Sequence, residues 1–151
     1  MKRKAVYGSV LAAVLVFAAW MLWPRPLAEA FDTQQPFTVH VTTFDVREGY
    51  PFINTAEPLT VEPGTPEAAA VRQVLAKQSW HLCLETLIGA DSLEGLGDMT
   101  ISLYGRDGAE LSVFSGNSRI SRDGRYVRLG YWGKPRSAAL CQELLAALGM
   151  E

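Results

Sequence analysis

The stretch that decides the fold is 99-MTISLYGRDGAELSVFS-115, in which apolar and polar side chains alternate on both sides of an Arg-Asp-Gly sequence. Such alternation around a glycine-containing turn is typical of a β-hairpin. A three-residue loop with Gly108 in the left-handed conformation pairs Leu103 with Leu111, which places the apolar side chains of both strands on one face. A two-residue loop would split them, so we predict the three-residue loop.

The next stretch, 119-RISRDGRYVRLGY-131, predicts a second hairpin around its own Arg-Asp-Gly sequence. Here a two-residue turn pairs Ile120 with Val127 and again collects the apolar side chains on one face. The same register places Arg119 across from Arg128. Like charges in such a cross-strand pair destabilise the sheet.

The face opposite to the apolar one carries aromatic and basic side chains. Aromatic and arginine side chains dominate binding hot spots, and an arginine can hold a carboxylate or phosphate with two hydrogen bonds. The alternative is that the arginine stems shield the aromatic rings and pair with internal acids. We predict a candidate binding face made of Tyr104, Arg119, Tyr126, Arg128 and Trp132.

Working outward, the remaining segments predict further strands and two helices. The helix after Thr65 has an N-cap hydroxyl, a proline at its first position and an acid in its first turn, and the last helix ends at Gly149. The predicted elements are a strand over 37–46 with a bulge near 42–43, a short edge strand over 59–61, a helix over 66–78, a strand over 80–88, a loop over 89–98 and a helix over 138–148 capped by Ser137. This order predicts an α+β domain over 37–151, with an antiparallel sheet and two helices on one face.

An N-terminal segment with a different character precedes this domain. Residues 5–23 contain no charge, are long enough to span the hydrocarbon core of a membrane, and follow a basic stub over 1–4. They predict a single transmembrane helix, with a cytoplasmic N-terminus and the domain outside the cell membrane. Residues 24–36 are predicted as a linker. A cleaved signal peptide is the alternative, because cleavage after Ala30 would release a secreted domain.

Length and charge exclude several classes of protein. At 151 residues the chain is too short for a two-domain enzyme, and a net charge of −2 argues against a general nucleic-acid binder. The charge is unevenly distributed: residues 31–118 hold 4 basic and 12 acidic residues, whereas residues 119–136 hold 6 basic and one acidic residue. The basic stretch can pair with the acidic body, or it can bind an anionic wall polymer or lipid headgroups.

The two cysteines and the few metal-binding side chains leave alternatives open. Outside the cytoplasm Cys83 and Cys141 can pair as a disulfide, or they can remain buried thiols. His81, Cys83 and Glu85 alternate on the predicted strand over 80–88, which is the basis of an alternative hypothesis of a small hydrolase or a metal-dependent enzyme. The chain has no phosphate-binding loop, G-x-S-x-G or H-E-x-x-H sequence. We therefore predict no catalysis, no cofactor and no metal.

The chain resembles small membrane-anchored or secreted proteins of unknown function that are common in clostridial bacteria. The Gly-Tyr-Trp-Gly sequence is the distinctive element. The residues that carry the resemblance are Phe44-Asp45-Val46, Pro63-Gly64-Thr65-Pro66-Glu67, Trp80-His81, Gly130-Tyr131-Trp132-Gly133 and the short amphipathic tail helix. The resemblance implies an architecture and an envelope location, and it implies no catalytic residues.

The sequence thus predicts an extracytoplasmic binding or interaction module of the bacterial cell envelope, tethered by residues 5–23 and recognising another envelope protein. A role as an accessory subunit of a membrane complex is a further alternative.

Overall fold

The structure is a computed structural model that describes residues 2–48, 50–83, 86–87, 97–116, 119–130 and 137–150; for residues 2–6, 51 and 119 it describes the backbone. The helices within these ranges are α1 (Lys2–Leu22), a short 3-10 helix (Leu27–Glu29), α2 (Pro66–Ala76) and α3 (Ser137–Ala147). The strands are β1 (Arg25–Pro26), β2 (Phe37–Arg47), β3 (Tyr50–Thr55), β4 (Leu59–Val61), β5 (Ser79–His81), β6 (Met99–Gly105), β7 (Glu110–Phe114), β8 (Arg119–Arg122) and β9 (Arg125–Leu129).

The nine described strands form one antiparallel sheet in the order β1-β5-β9-β8-β7-β6-β2-β3, with β4 also paired to β2. Both predicted hairpin registers are confirmed: Leu103 pairs with Leu111, and Ile120 pairs with Val127. Gly108 has the predicted positive φ, at 86°. The prediction of an α+β fold with an antiparallel sheet is therefore confirmed.

Helices α2 and α3 pack together on one face of this sheet, and the core lies between the helices and the sheet. The N-cap prediction for α2 is confirmed, because Thr65 Oγ1 accepts a hydrogen bond of 3.2 Å from Ala68 N. The end of α3 at Gly149 is also confirmed: Met150 N donates to Leu145 O at 3.0 Å, as in a Schellman motif. The fully buried side chains of the core include Phe37, Val39, Val71, Leu75, Ile101, Leu103, Leu111, Val113, Ile120, Leu140 and Leu144.

Strand β2 contains no bulge, so the prediction of one near residues 42–43 is wrong. The register of β2 against β6 runs unbroken from Phe37 to Thr43, and its register against β3 continues unbroken to Arg47. Apolar residues change parity along β2 because its second half extends beyond β6. There Phe44 and Val46 lie on the sheet face opposite to the helices, where no core selects the parity.

The predicted strand over 80–88 is confirmed at its first two residues, but it is too long, because β5 ends at His81. Cys83 and Thr86 close a local turn: Cys83 N donates to Thr86 Oγ1 at 3.1 Å, and Thr86 N donates to Cys83 O at 3.1 Å. Hydroxyl side chains compete with a strand ladder in this way. Residues 84–85 and 88, and most of the predicted loop over 89–98, lie outside the described residues.

The segment predicted as a linker, residues 24–36, is instead part of the fold. Strand β1 pairs with β5, and Leu27, Ala30 and Phe31 are buried in the core. Leu27 N also donates a hydrogen bond of 2.9 Å to Gln78 O, which ties the segment to the end of α2. The apolar pattern of this segment is hidden in the sequence by its three prolines and two glutamines.

The C-terminal end of α1 rests against the domain. Met21 is buried, its carbonyl oxygen accepts a hydrogen bond of 3.1 Å from Leu82 N, and the Trp20 carbonyl accepts one of 3.3 Å from Arg25 Nη2. These bonds satisfy carbonyl groups that the end of a helix leaves unpaired. Among the described residues, no helix combines the length and the apolar character that crossing a membrane requires.

Candidate functional site

The candidate site is the sheet face opposite to α2 and α3, which we call the open face. The register places on it every second residue of the central strands, as the sequence predicted for the two hairpins. Its exposure is uneven: Tyr104 is 41% exposed and Arg128 is exposed, whereas Ser112 and Phe114 are buried. The central strands bring together on this face Thr38, His40, Thr42, Thr100, Ser102, Tyr104, Glu110, Ser112, Phe114, Ser121, Tyr126 and Arg128.

A polar ladder crosses the middle of the open face. Ser112 Oγ donates a hydrogen bond of 3.0 Å to Glu110 Oε1 and accepts one of 2.7 Å from Ser102 Oγ. His40 lies opposite Ser102 on β2, and its ring packs edge-on against Tyr104 with the ring centroids 5.2 Å apart. The ladder satisfies the buried Ser112 hydroxyl and holds these strands in register.

The aromatic and basic end of the open face lies on β7 to β9. The rings of Phe114 and Tyr126 are 5.9 Å apart, and Arg119 and Arg128 are directly opposite each other in the strand register. The structure thus places Tyr104, Tyr126 and Arg128 on one face. The side chain of Arg119 and all of Trp132 lie outside the described residues, so their predicted roles stay predictions.

A projecting hairpin extends the open face beyond the sheet. We use this name for residues 44–53, where β2 and β3 pair only with each other. Val46 is 71% exposed and Ile53 is 64% exposed, and the register places them on the open face together with Phe44. An exposed apolar cluster continuous with an aromatic face is the usual mark of a contact surface for another protein.

The other face of the projecting hairpin has a different composition. Arg47 Nε is 2.9 Å from Asp45 Oδ2, and the Arg47 guanidinium lies 5.2 Å from the ring centroid of Phe52. The hydrogen bond from Arg47 lowers the pKa of the Asp45 carboxyl below its usual 3.8, and the backbone N–H of Val46 adds to this shift. The two faces of one hairpin therefore offer an apolar surface and a charged, aromatic one.

Strand β3 forms one edge of the sheet. Because Ala56 N donates to Val41 O at 2.9 Å, the even-numbered residues of β3 direct their backbone groups toward β2. Pro51, Ile53 and Thr55 then direct theirs outward. Proline lacks an N–H, so its place at this outward position costs no ladder hydrogen bond, and it blunts part of the edge against pairing.

A cavity of about 390 Å³ lies where α1 meets the domain. Ala18, Met21 and Leu22 form one wall, and His81, Leu82, Cys83 and Arg128 form the other. This cavity brings together Arg128 of the predicted binding face and two members of the alternative enzyme hypothesis.

His81 and Cys83 make their described hydrogen bonds with separate partners. His81 Nδ1 donates to the Leu82 carbonyl at 2.8 Å, whereas Cys83 Sγ contacts Thr86 Oγ1 at 3.2 Å and donates to Tyr126 O at 3.7 Å. The third member, Glu85, lies outside the described residues. Within the described part of the chain, no three metal-binding side chains lie close enough together to hold an ion.

Both cysteines are free, buried thiols in the structure, so of the two alternatives it has the unpaired one. Cys141 Sγ donates to Val113 O at 3.8 Å from within the core. Burial, with a smaller contribution from the Asp98 carboxylate, raises the pKa of the Cys141 thiol to about 12. The Cys141 thiol is therefore a packing group and not a nucleophile at neutral pH.

Comparison with protein-family models, with curated proteins and with solved structures finds no match for this chain.

The sequence analysis missed the projecting hairpin and the inclusion of His40 in the face. The signal was present: Tyr50 to Thr55 is rich in β-forming side chains and follows a two-residue Glu-Gly sequence. Glu48 has a φ of 53°, as such a tight turn requires.

Proposed function

We propose that this chain is a non-catalytic interaction module of the bacterial cell envelope that binds another envelope protein through the open face and the projecting hairpin. The exposure of Val46 and Ile53 on the open face carries the proposal. These side chains lie outside the described core and are mostly exposed, so their apolar character favours a contact outside the fold.

The partner surface is expected to be apolar opposite the projecting hairpin. Full burial of an aliphatic side chain contributes roughly 1.5–3 kcal/mol, and about two thirds of Val46 and Ile53 remain available for burial. The two side chains together therefore offer roughly 2–4 kcal/mol to a partner. Tyr104 and Tyr126 offer aromatic anchors on the same face.

The same proposal includes the tether. Its support is the uncharged sequence of residues 5–23 after a basic stub, and the side chains of α1 that face outward on all sides, among them Leu11, Val16 and Phe17. The proposed location is the cell membrane, with the domain outside. Sequencing the N-terminus of the mature protein from isolated membranes tests this part: a terminus after residue 30 would overturn the tether and leave a secreted domain.

The binding proposal is tested by photo-crosslinking in living cells from a light-activated amino acid at position 53, at position 104 and at position 52. Ile53 and Tyr104 lie on the open face, and Phe52 lies on the opposite face of the same hairpin with similar exposure. We expect one identified envelope protein to be captured from positions 53 and 104 and not from position 52.

Three results would overturn the binding proposal. Adducts only with a second copy of the chain would show self-association. Capture of the same proteins in equal amounts from positions 52, 53 and 104 would show non-specific contact. The absence of any protein adduct would show that the face is not used. Circular dichroism of each variant confirms that the fold is retained.

A further inference from the structure

A second cluster of functional side chains lies on the helix-bearing face, at the end of the sheet where β1 and β5 meet the β8–β9 turn. Three N–H groups are buried there without an acceptor within the described residues: Trp80 Nε1, Arg25 Nη1 and Arg122 Nε. The Trp80 side chain as a whole is 6% exposed. Buried donors in proteins are nearly always paired, so three in one place indicate an acceptor that the described part of the chain does not supply.

Two of these side chains, Arg25 and Arg122, converge on the indole ring of Trp80. The guanidinium carbon of Arg25 and that of Arg122 each lie 5.1 Å from the centroid of the Trp80 ring. Arg25 reaches it from β1, which pairs with Trp80 directly, and Arg122 reaches it from β8. Two guanidinium groups held around one ring repel each other, and an anion near both would offset this repulsion.

The only described acid of the cluster compensates this charge in part. Asp123 Oδ2 lies 3.6 Å from Arg122 Nε, which is an ion pair but too long for a hydrogen bond. The other carboxylate oxygen, Oδ1, accepts a hydrogen bond of 3.1 Å from Glu110 N. With the exposed Arg125, the cluster has three guanidinium groups and one carboxylate, and its net charge is positive.

A cavity of about 420 Å³ opens beside these groups, lined in part by Trp80, Thr86, Arg122 and Arg125. The Arg122 and Arg125 guanidinium groups and the Trp80 indole line this cavity, whereas Arg25 lies over the Trp80 ring and is not part of the lining. A set of guanidinium and indole donors around one space suits a tetrahedral anion with acceptor oxygens on every side. A carboxylate is planar and has only two acceptor oxygens, so it suits such a set of donors less well.

We propose that the Arg25–Trp80–Arg122–Arg125 cluster binds a phosphate group. The sources with this chemistry are free phosphate and the headgroup of an anionic phospholipid. The sequence places Arg25 two residues after the end of the 5–23 segment, at the depth where lipid phosphates would lie. The lipid source rests on the proposed tether, whereas phosphate binding itself does not.

The test uses the full chain in an uncharged detergent, titrated with inorganic phosphate while the indole N–H resonance of Trp80 is followed by NMR. Arg122→Gln removes one guanidinium, and Arg106→Gln is the matched control at the same position of the other Arg-Asp-Gly turn. Arg125→Gln is the second variant, because Arg125 is exposed and its loss spares the core. We expect a saturable shift of the Trp80 resonance, at least tenfold weaker affinity in Arg122→Gln and Arg125→Gln, and unchanged affinity in Arg106→Gln.

The lipid source is tested by retention of the same four proteins in nanodiscs of phosphatidylcholine with and without phosphatidylglycerol, with the affinity of isolated dihexanoyl-phosphatidylglycerol measured in parallel. Binding of the lipid but not of inorganic phosphate assigns the headgroup, and the reverse assigns free phosphate. Equal binding by Arg122→Gln, Arg125→Gln and Arg106→Gln, or no shift of the Trp80 resonance with either compound, overturns the site. Crosslinking from position 53 is independent of these residues, so the two proposals fail separately.

Discussion

Replacing two neighbouring residues of β6 by alanine tests whether the two faces of the sheet differ as described. Leu103 is 0% exposed and lies between Val39 and Leu111, which are also fully buried. Because none of these neighbours can move into the space, Leu103→Ala should destabilise the fold by about 3–4 kcal/mol. Tyr104 points to the open face, is 41% exposed and contacts the His40 ring. Tyr104→Ala should cost about 1 kcal/mol, chiefly for that ring contact.

The assay is urea denaturation of the full chain in uncharged detergent, followed by circular dichroism. With a slope of about 1.5 kcal/mol per molar urea, Leu103→Ala should lower the midpoint by about 2 M and Tyr104→Ala by under about 1 M. Leu103→Met, which nearly conserves volume, serves as a control and should cost under about 1.5 kcal/mol. Equal shifts for Leu103→Ala and Tyr104→Ala would refute the distinction, since Tyr104 would then belong to a core and not to a binding face.

Three further predictions concern single groups. Thr65→Ala removes the acceptor of the Ala68 N–H and should destabilise the fold by about 1 kcal/mol, measured by urea denaturation, whereas Thr65→Ser should restore the cap. Cys141 is buried and its pKa is raised to about 12, so its thiol should resist iodoacetamide at pH 8 in the folded chain and react fully in urea. Rapid alkylation of the folded chain would contradict the placement of Cys141 in the core. Arg47 lowers the pKa of Asp45 below 3.8, so their ion pair should be complete above that value and should disappear as the pH falls through the lower pKa of the folded state. NMR titration of the Asp45 carboxyl should show a higher midpoint in Arg47→Gln than in the unmodified chain. Equal midpoints would contradict the pairing.

The sheet could be predicted from the sequence wherever one face of a strand is buried. At Ile101, Leu103, Leu111 and Val113 the core selects apolar side chains at every second position, so the alternation fixes both the strand and its register. Projecting strands lack that selection. Phe44 and Val46 lie beyond β6 on the face opposite to the core, so their apolar character changes the alternation. This change predicted a bulge that the structure does not have.

The candidate site could be predicted only in part for the same reason. Tyr104, Tyr126 and Arg128 follow from the registers of two local hairpins, which depend on short sequence separations. His40 and the projecting hairpin join the face through the long-range pairing of β2 with β6. The Trp80 cluster combines residues 25, 80 and 122, and no local pattern indicates that these will meet.

The junction between α1 and the domain has a mechanical consequence. The end of the helix is attached to the domain by several contacts. They are two hydrogen bonds to the last carbonyl groups of the helix, the burial of Met21 and the pairing of β1 with β5. In the structure these contacts set the direction of the helix axis relative to the open face. A force applied to the projecting hairpin would therefore be transmitted through the sheet to β5, and from β5 to the end of the helix.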